Sequence, residues 1–138
     1  MPLWIVLDTN VLVLGLLNPR GVPGRIVDLI LAGEVKILYD DRILAEYWEV
    51  LRRPRFGFEE GDIRRVLDYL AFHGEAVSAL PLAVNMPDRN DVPFLEVAVS
   101  GQADALVTGN VHHFAGVDRV AVLRAAESLE FWAQRSEP

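Results

Sequence analysis

Four acidic side chains and one amide hold places in this chain from which they could act together. Asp8 directly follows the apolar run Trp4 to Leu7, and Glu46 lies within an amphipathic stretch. Asp88 and Asp91 flank Arg89-Asn90, and Asn110 follows Leu106-Val107-Thr108-Gly109. Two carboxylates about 4 Å apart repel by roughly 4 kcal/mol at an effective dielectric of about 20. A group of three is therefore tolerated only with bound cations or raised pKa values. All-oxygen ligation selects Mg²⁺ or Mn²⁺ over zinc. Such ions activate water and stabilise the leaving oxygen in phosphodiester cleavage.

Other routes are closed or weak. The chain has no cysteine, which excludes thiolate metal sites, disulfides and cysteine nucleophiles, and suits a cytoplasmic protein. It has no glycine-rich phosphate loop and no Gly-x-Ser-x-Gly elbow. His73, His112 and His113 lack the spacing of a metal trio, although the His112-His113 pair lies near enough to Asn110 to touch a substrate.

Each candidate also has a purely structural reading. Asp8 could equally cap the helix that follows it. Glu46 flanks the stripe of Ile43 and Val50, where a glutamate is more often solvated. Asp88 and Asp91, taken singly, read as helix caps, and Gly109-Asn110 reads as a turn. Glu96 lies beyond Asp91 but off its helical face.

The elements that must position these residues follow from periodicity. Leu3 to Leu7 reads as a strand buried on both faces, with Val11 to Leu17 an apolar turn into a helix. Asn18 to Gly24 is a loop. A helix through Ile26 to Leu31 ends at Gly33, and Val35 to Tyr39 is a second strand. A helix from Asp41, capped by Asp40 or Asp41, stops before Pro54. Further helices are expected at Glu59 to His73, Asp91 to Ser100 and Ala125 to Gln134. Strands are expected at Glu75 to Val77, Ala105 to Thr108 and Val120 to Leu123, and a polar tail from about residue 134. Alternating strands and helices imply an α/β domain with a mostly parallel sheet covered on both faces. Its sites would then lie beyond the carboxyl ends of the strands. The 138 residues fit one domain. No basic segment precedes the first apolar run and Asp8 interrupts it, which speaks against a signal peptide or membrane span.

Four segments in order resemble the PIN-domain family: Leu7 to Val11, Ile43 to Glu46, Asp88 to Leu95, and Leu106 to Asn110. The likeness is strongest to VapC-like toxin components of bacterial toxin–antitoxin systems, and it covers nearly the whole chain. It implies a three-layer α/β/α fold and a ribonuclease using Mg²⁺ or Mn²⁺. Asp8, Glu46 and Asp91 match the family's acidic site residues, and Asp88 matches an acid often present just before the third. Asn110 stands where many members carry a fourth acid, and the alternative fourth position is His113. The amide there implies weaker retention of a second metal. Thr9, Asn10 and Thr108 would support the acids by hydrogen bonds. The resemblance also implies a homodimer and a small antitoxin partner.

The formal charge of −7 opposes non-specific RNA binding. Against it, 12 of the 13 basic residues are arginines, the better phosphate fork. Arg52, Arg53 and Arg89, with Arg20 and Arg55, are candidates to hold the RNA backbone. Two alternatives remain open. One is a PIN fold without catalysis that binds RNA or protein, which the amide at Asn110 favours. The other is a phosphatase, since a strand ending in Asp8-Thr9-Asn10 resembles the aspartyl-nucleophile strand of haloacid dehalogenases. That family usually has a second aspartate where Asn10 stands, and a downstream lysine, whereas the only lysine here is Lys36.

Overall fold

The computed structural model describes residues 1–136. The apolar run Leu3–Leu7 forms β1, and Thr9–Leu17 (α1) follows with no intervening turn. Then come Val22–Leu31 (α2), Val35–Tyr39 (β2), Asp41–Leu51 (α3), Glu60–His73 (α4) and Glu75–Ala76 (β3). Val92–Ser100 (α5), Ala105–Val107 (β4), Val122–Leu123 (β5) and Ala125–Ser136 (α6) complete the order. Short 3₁₀ turns occupy Pro54–Phe56, Arg89–Asp91 and Val111–Phe114.

The strands form a five-stranded sheet in the order β3-β2-β1-β4-β5. Every pairing is parallel, so the expected mostly parallel sheet is wholly so among the described residues. Ile5 of β1 pairs with Ile37 of β2 on one side and Ala105 of β4 on the other. A strand paired on both edges and covered on both faces must be apolar throughout. Ile5, Val6 and Leu7 are accordingly buried. Helix α5 packs across β1, β2 and β4, and α6 packs on β4, β5 and α2. The result is the expected α/β/α layering.

Two helices, not one, connect β1 to β2, and their pairing depends on glycine. A Cβ at Gly24 would stand 2.2 Å from the carbonyl oxygen of Pro19, and one at Gly15 would stand 2.8 Å from that of Pro23. Hydrogen at Gly15 lets α2 close on α1, and hydrogen at Gly24 lets α2 begin against the loop that follows α1.

Several boundaries shift from the sequence expectation. The strand expected to reach Thr108 ends at Val107, because Gly109 and Asn110 turn the chain there, and β5 begins only at Val122. The segment after residue 134 is not a tail through Ser136: α6 continues, and Arg135 pairs with Asp104 at 2.9 Å. Residues 137 and 138 lie outside the described residues. Asp40, not Asp41, caps α3, accepting the Ile43 amide at 3.1 Å.

The strand order places the site. From β1 the chain steps outward to β2 and β3, then returns to lay β4 on the opposite side of β1. The crevice where this direction reverses lies beyond the carboxyl ends of β1 and β4. Asp8 leaves β1 at that end, and Thr108-Gly109-Asn110 leaves β4 beside it.

Candidate active site

Asp8 occupies the N-cap position of α1, yet its side chain makes no cap hydrogen bond. Its carboxylate instead accepts the Thr108 hydroxyl at 2.6 Å, and Thr108 in turn accepts the Asn110 amide at 3.0 Å. The Asn110 N–H fills the Thr108 oxygen, so the hydroxyl proton is directed at Asp8. Asp91 behaves alike. It stands at the start of α5 without capping it, and Oδ2 meets His113 Nδ1 at 3.0 Å. The ordinary capping role falls to Asp88, which accepts the Asn90 amide at 2.9 Å.

Glu46 reaches the same crevice from α3. The Thr9 hydroxyl, in the first turn of α1, donates to its Oε2. The next residue, Tyr47, is fully buried and donates its hydroxyl to the Leu7 carbonyl. That bond ties α3 to the end of β1 and fixes where Glu46 emerges. A cleft of about 260 Å³ is lined by Asp8, Glu46, Asp88, Asp91 and Asn110, and also by Arg53 and Arg55.

The electrostatics agree with the geometry. Burial pushes the carboxyls of Asp8, Glu46 and Asp91 above the usual range. Hydrogen bonds from Thr108, Thr9 and His113 respectively oppose that shift. The negative charge of Asp8 raises both Glu46 and Asp91, so the three acids share one field.

With this geometry in hand, the comparisons are specific. The family model described as "PIN domain" matches residues 4–112. The chain belongs to the PIN domain family. It is 30% identical over 113 residues to uncharacterized protein MJ1680 of Methanocaldococcus jannaschii, covering 77% of this chain and 70% of that one. Its fold is similar to a chain in the crystal structure of VapBC2 from Rickettsia felis bound to a DNA fragment from their promoter. That match has a TM-score of 0.57 at 16% identity and covers 88% of this chain and 98% of the other.

Within this PIN domain the residues singled out from sequence divide into two groups. Asp8, Thr9, Asn10, Glu46, Asp88, Asp91, Asn110 and Arg53 line one cleft, and Thr108 sits directly behind it. Arg52 and Arg89 do not line it. Arg52 lies over the Trp48 ring, 4.9 Å from its centroid, and 3.4 Å from Glu60. Arg55, one residue past the Pro54 that ends α3, takes the place on the cleft wall that Arg52 was expected to share. Glu96 points elsewhere: it pairs with Arg42 at 2.8 Å and accepts the Leu82 amide at 2.8 Å. Burial opposes that carboxylate, but the two donors and the Arg42 charge outweigh it and hold its pKa below the usual value. Reading along the sequence missed two contacts, Tyr47 to Leu7 and His113 to Asp91. An aromatic on the apolar stripe and a histidine beside a turn carry no local mark of either.

The PIN domain's donor set fits a hard divalent cation in kind. Among the described residues no three His, Asp or Glu side chains form a ready-made metal cage. Asp8, Glu46 and Asp91 are each held through one oxygen by Thr108, Thr9 and His113. Such partners orient a carboxylate and leave its second oxygen for a ligand. Oxygen ligands of this type are those that Mg²⁺ and Mn²⁺ take.

Proposed function

We propose that this PIN domain is a metal-dependent endoribonuclease, cleaving RNA phosphodiesters in the cleft of Asp8, Glu46 and Asp91. The observation that carries the reading is that three carboxylates from three separate elements, all with raised pKa, line one cleft together with two arginines. Structural caps have no reason to converge, and a cation site does.

Asp8, Asp91 and Glu46 would hold Mg²⁺ or Mn²⁺, with Asp88 and Asn110 at the margin. The bound ion supplies an activated water and stabilises the leaving oxygen. The chain's own residues do the rest. Thr108, Thr9 and His113 hold the three carboxylates in register. Arg53 and Arg55, which line the same cleft, bind the phosphate through charge-assisted hydrogen bonds. Asp8 and Asp91 position the attacking water, and Glu46 either completes the metal's set of ligands or, where it does not, takes the water's proton.

The fold likeness to a VapBC2 chain supports a partner of the antitoxin kind; from the resemblance to VapC-like toxins we further propose a cytoplasmic toxin that works as a homodimer. No described helix is long and apolar enough to cross a membrane. A second reading, a PIN domain that binds RNA or protein without cleaving, rests on Asn110, which puts an amide where a further carboxylate would help hold metal.

Incubation of purified protein with structured RNAs in Mn²⁺, Mg²⁺ and EDTA, beside an Asp8→Asn control, separates the two. Cleavage that needs metal and disappears in the variant is expected. Cleavage in EDTA, or cleavage surviving Asp8→Asn, would overturn the assignment.

A further inference from the structure

The segment after β4 touches two clefts. Asn110 lines the carboxylate cleft, and in the turn Val111–Phe114, anchored by buried Phe114, His113 Nδ1 meets Asp91 of that cleft at 3.0 Å. On its other side His113, with His112, lines a second cleft of about 340 Å³. Val84, Met86 and Pro87 line it as well, along with buried Leu95. Pro87 immediately precedes Asp88 of the carboxylate cleft. The two clefts are thus separated by the Pro87-Asp88 corner and the Asp91–His113 pair.

We propose that this second cleft is a nucleobase subsite, which takes an unpaired base next to the phosphate that Arg53 and Arg55 bind in the cleft of Asp8, Glu46 and Asp91. The proposal rests on the nuclease reading and deepens it. Among the described residues no arginine or lysine lines the cleft, so it offers a phosphate no fixed positive charge. Its walls suit a flat, weakly polar ring. The two histidine rings meet edge to face with centroids 4.4 Å apart, and a proline and a thioether lie among the other lining groups. Bases stack on such surfaces, and Asn85 and His112 offer hydrogen-bonding groups to a base edge. The cationic groups, Arg53 and Arg55, stand on the carboxylate cleft. Phosphate contacts and base contacts are therefore segregated into different clefts, which gives a bound strand a direction. A base inside a duplex cannot enter without unpairing, so the subsite selects single-stranded RNA or loops.

The test uses the Asp8→Asn protein in Mn²⁺, so that binding is read without cleavage. Fluorescence anisotropy compares a short unstructured RNA, its duplex, and the same strand with one base removed at each position in turn. The duplex is expected to bind more weakly, and one abasic position should weaken binding by about tenfold. Adding His112→Ala or Val84→Glu, both exposed positions, should make the intact and abasic strands bind alike. An abasic strand that binds as well as the intact one overturns the subsite, as does discrimination that survives both substitutions or RNA that fails to bind at all. Cleavage by the protein with Asp8 intact, measured in parallel, keeps the two readings apart. Cleavage without base discrimination removes the subsite alone, and discrimination without cleavage removes the nuclease alone.

Discussion

The Thr108 hydroxyl donates to Asp8 at 2.6 Å across the seam between β4 and β1, joining residues one hundred positions apart. The Asn110 amide fills the other side of the same oxygen at 3.0 Å. Two neighbouring parallel strands therefore end in one hydrogen-bonded chain, and the orientation of Asp8 depends on it.

Thr108→Val keeps the shape and removes the hydroxyl. It leaves a buried carboxylate oxygen and the Asn110 amide without a partner. We expect a stability loss of about 1–3 kcal/mol in urea unfolding. Metal affinity or cleavage should fall by about 10–100-fold. Thr108→Ser, which restores the donor, should recover most of both. A Val variant as active as the parent would show that Asp8 needs no such support.

The pH dependence of stability follows from the three raised carboxyls. Each of Asp8, Glu46 and Asp91 holds its proton more tightly folded than unfolded. Its stabilising contribution is present in full below the unfolded value, 3.8 for Asp and 4.5 for Glu, and is lost as pH rises through the raised folded value. Glu96 has the opposite sign: its contribution is present above 4.5 and lost on acidification. Metal-free protein should therefore melt at a lower temperature near about pH 7 than near about pH 5. Asp8→Asn or added Mn²⁺ should flatten that slope. A flat profile in the metal-free parent would show that burial does not raise these carboxyls.

Tyr47→Phe tests the strut behind Glu46. Removing the hydroxyl loses one buried hydrogen bond, to Leu7, and should cost about 0.5–1.5 kcal/mol. The ring still fills the core, so the folded state survives. A drop in cleavage larger than the drop in stability would mean that this bond also sets the position of Glu46.

Two arginines close together in sequence should behave differently. Arg55 lines the carboxylate cleft, while Arg52 is engaged by Trp48 and Glu60. Arg55→Ala should weaken RNA binding and lower the salt dependence by about one counterion. Arg52→Ala should leave the salt slope unchanged. Equal slopes for the two variants would mean that neither touches phosphate in the way the cleft suggests.

Local pattern carried much of this protein. The unbroken apolar run before Asp8 reads as a strand buried on both faces, and it proved to be the central one. Pro54 ends α3, and the site elements appeared in order with only their margins displaced. The same apolar run also set Asp8 at a strand's carboxyl end, because that follows from where the hydrophobic residues stop. Which acids converge was a different matter. Glu46 reads as a solvated edge residue and Asp91 as a helix cap, yet both line the cleft; Glu96, close by in sequence, turns instead to Arg42. Periodicity reports which face of an element is buried. It says nothing about which other element, a hundred residues away, will lie against that face. The sequence by itself thus determined the elements, the parallel α/β class and the supply of carboxylates. Only the tertiary structure, by laying β4 beside β1, decided which of those carboxylates share a field, which arginines line their cleft, and that His113 joins Asp91 of that cleft to the neighbouring one.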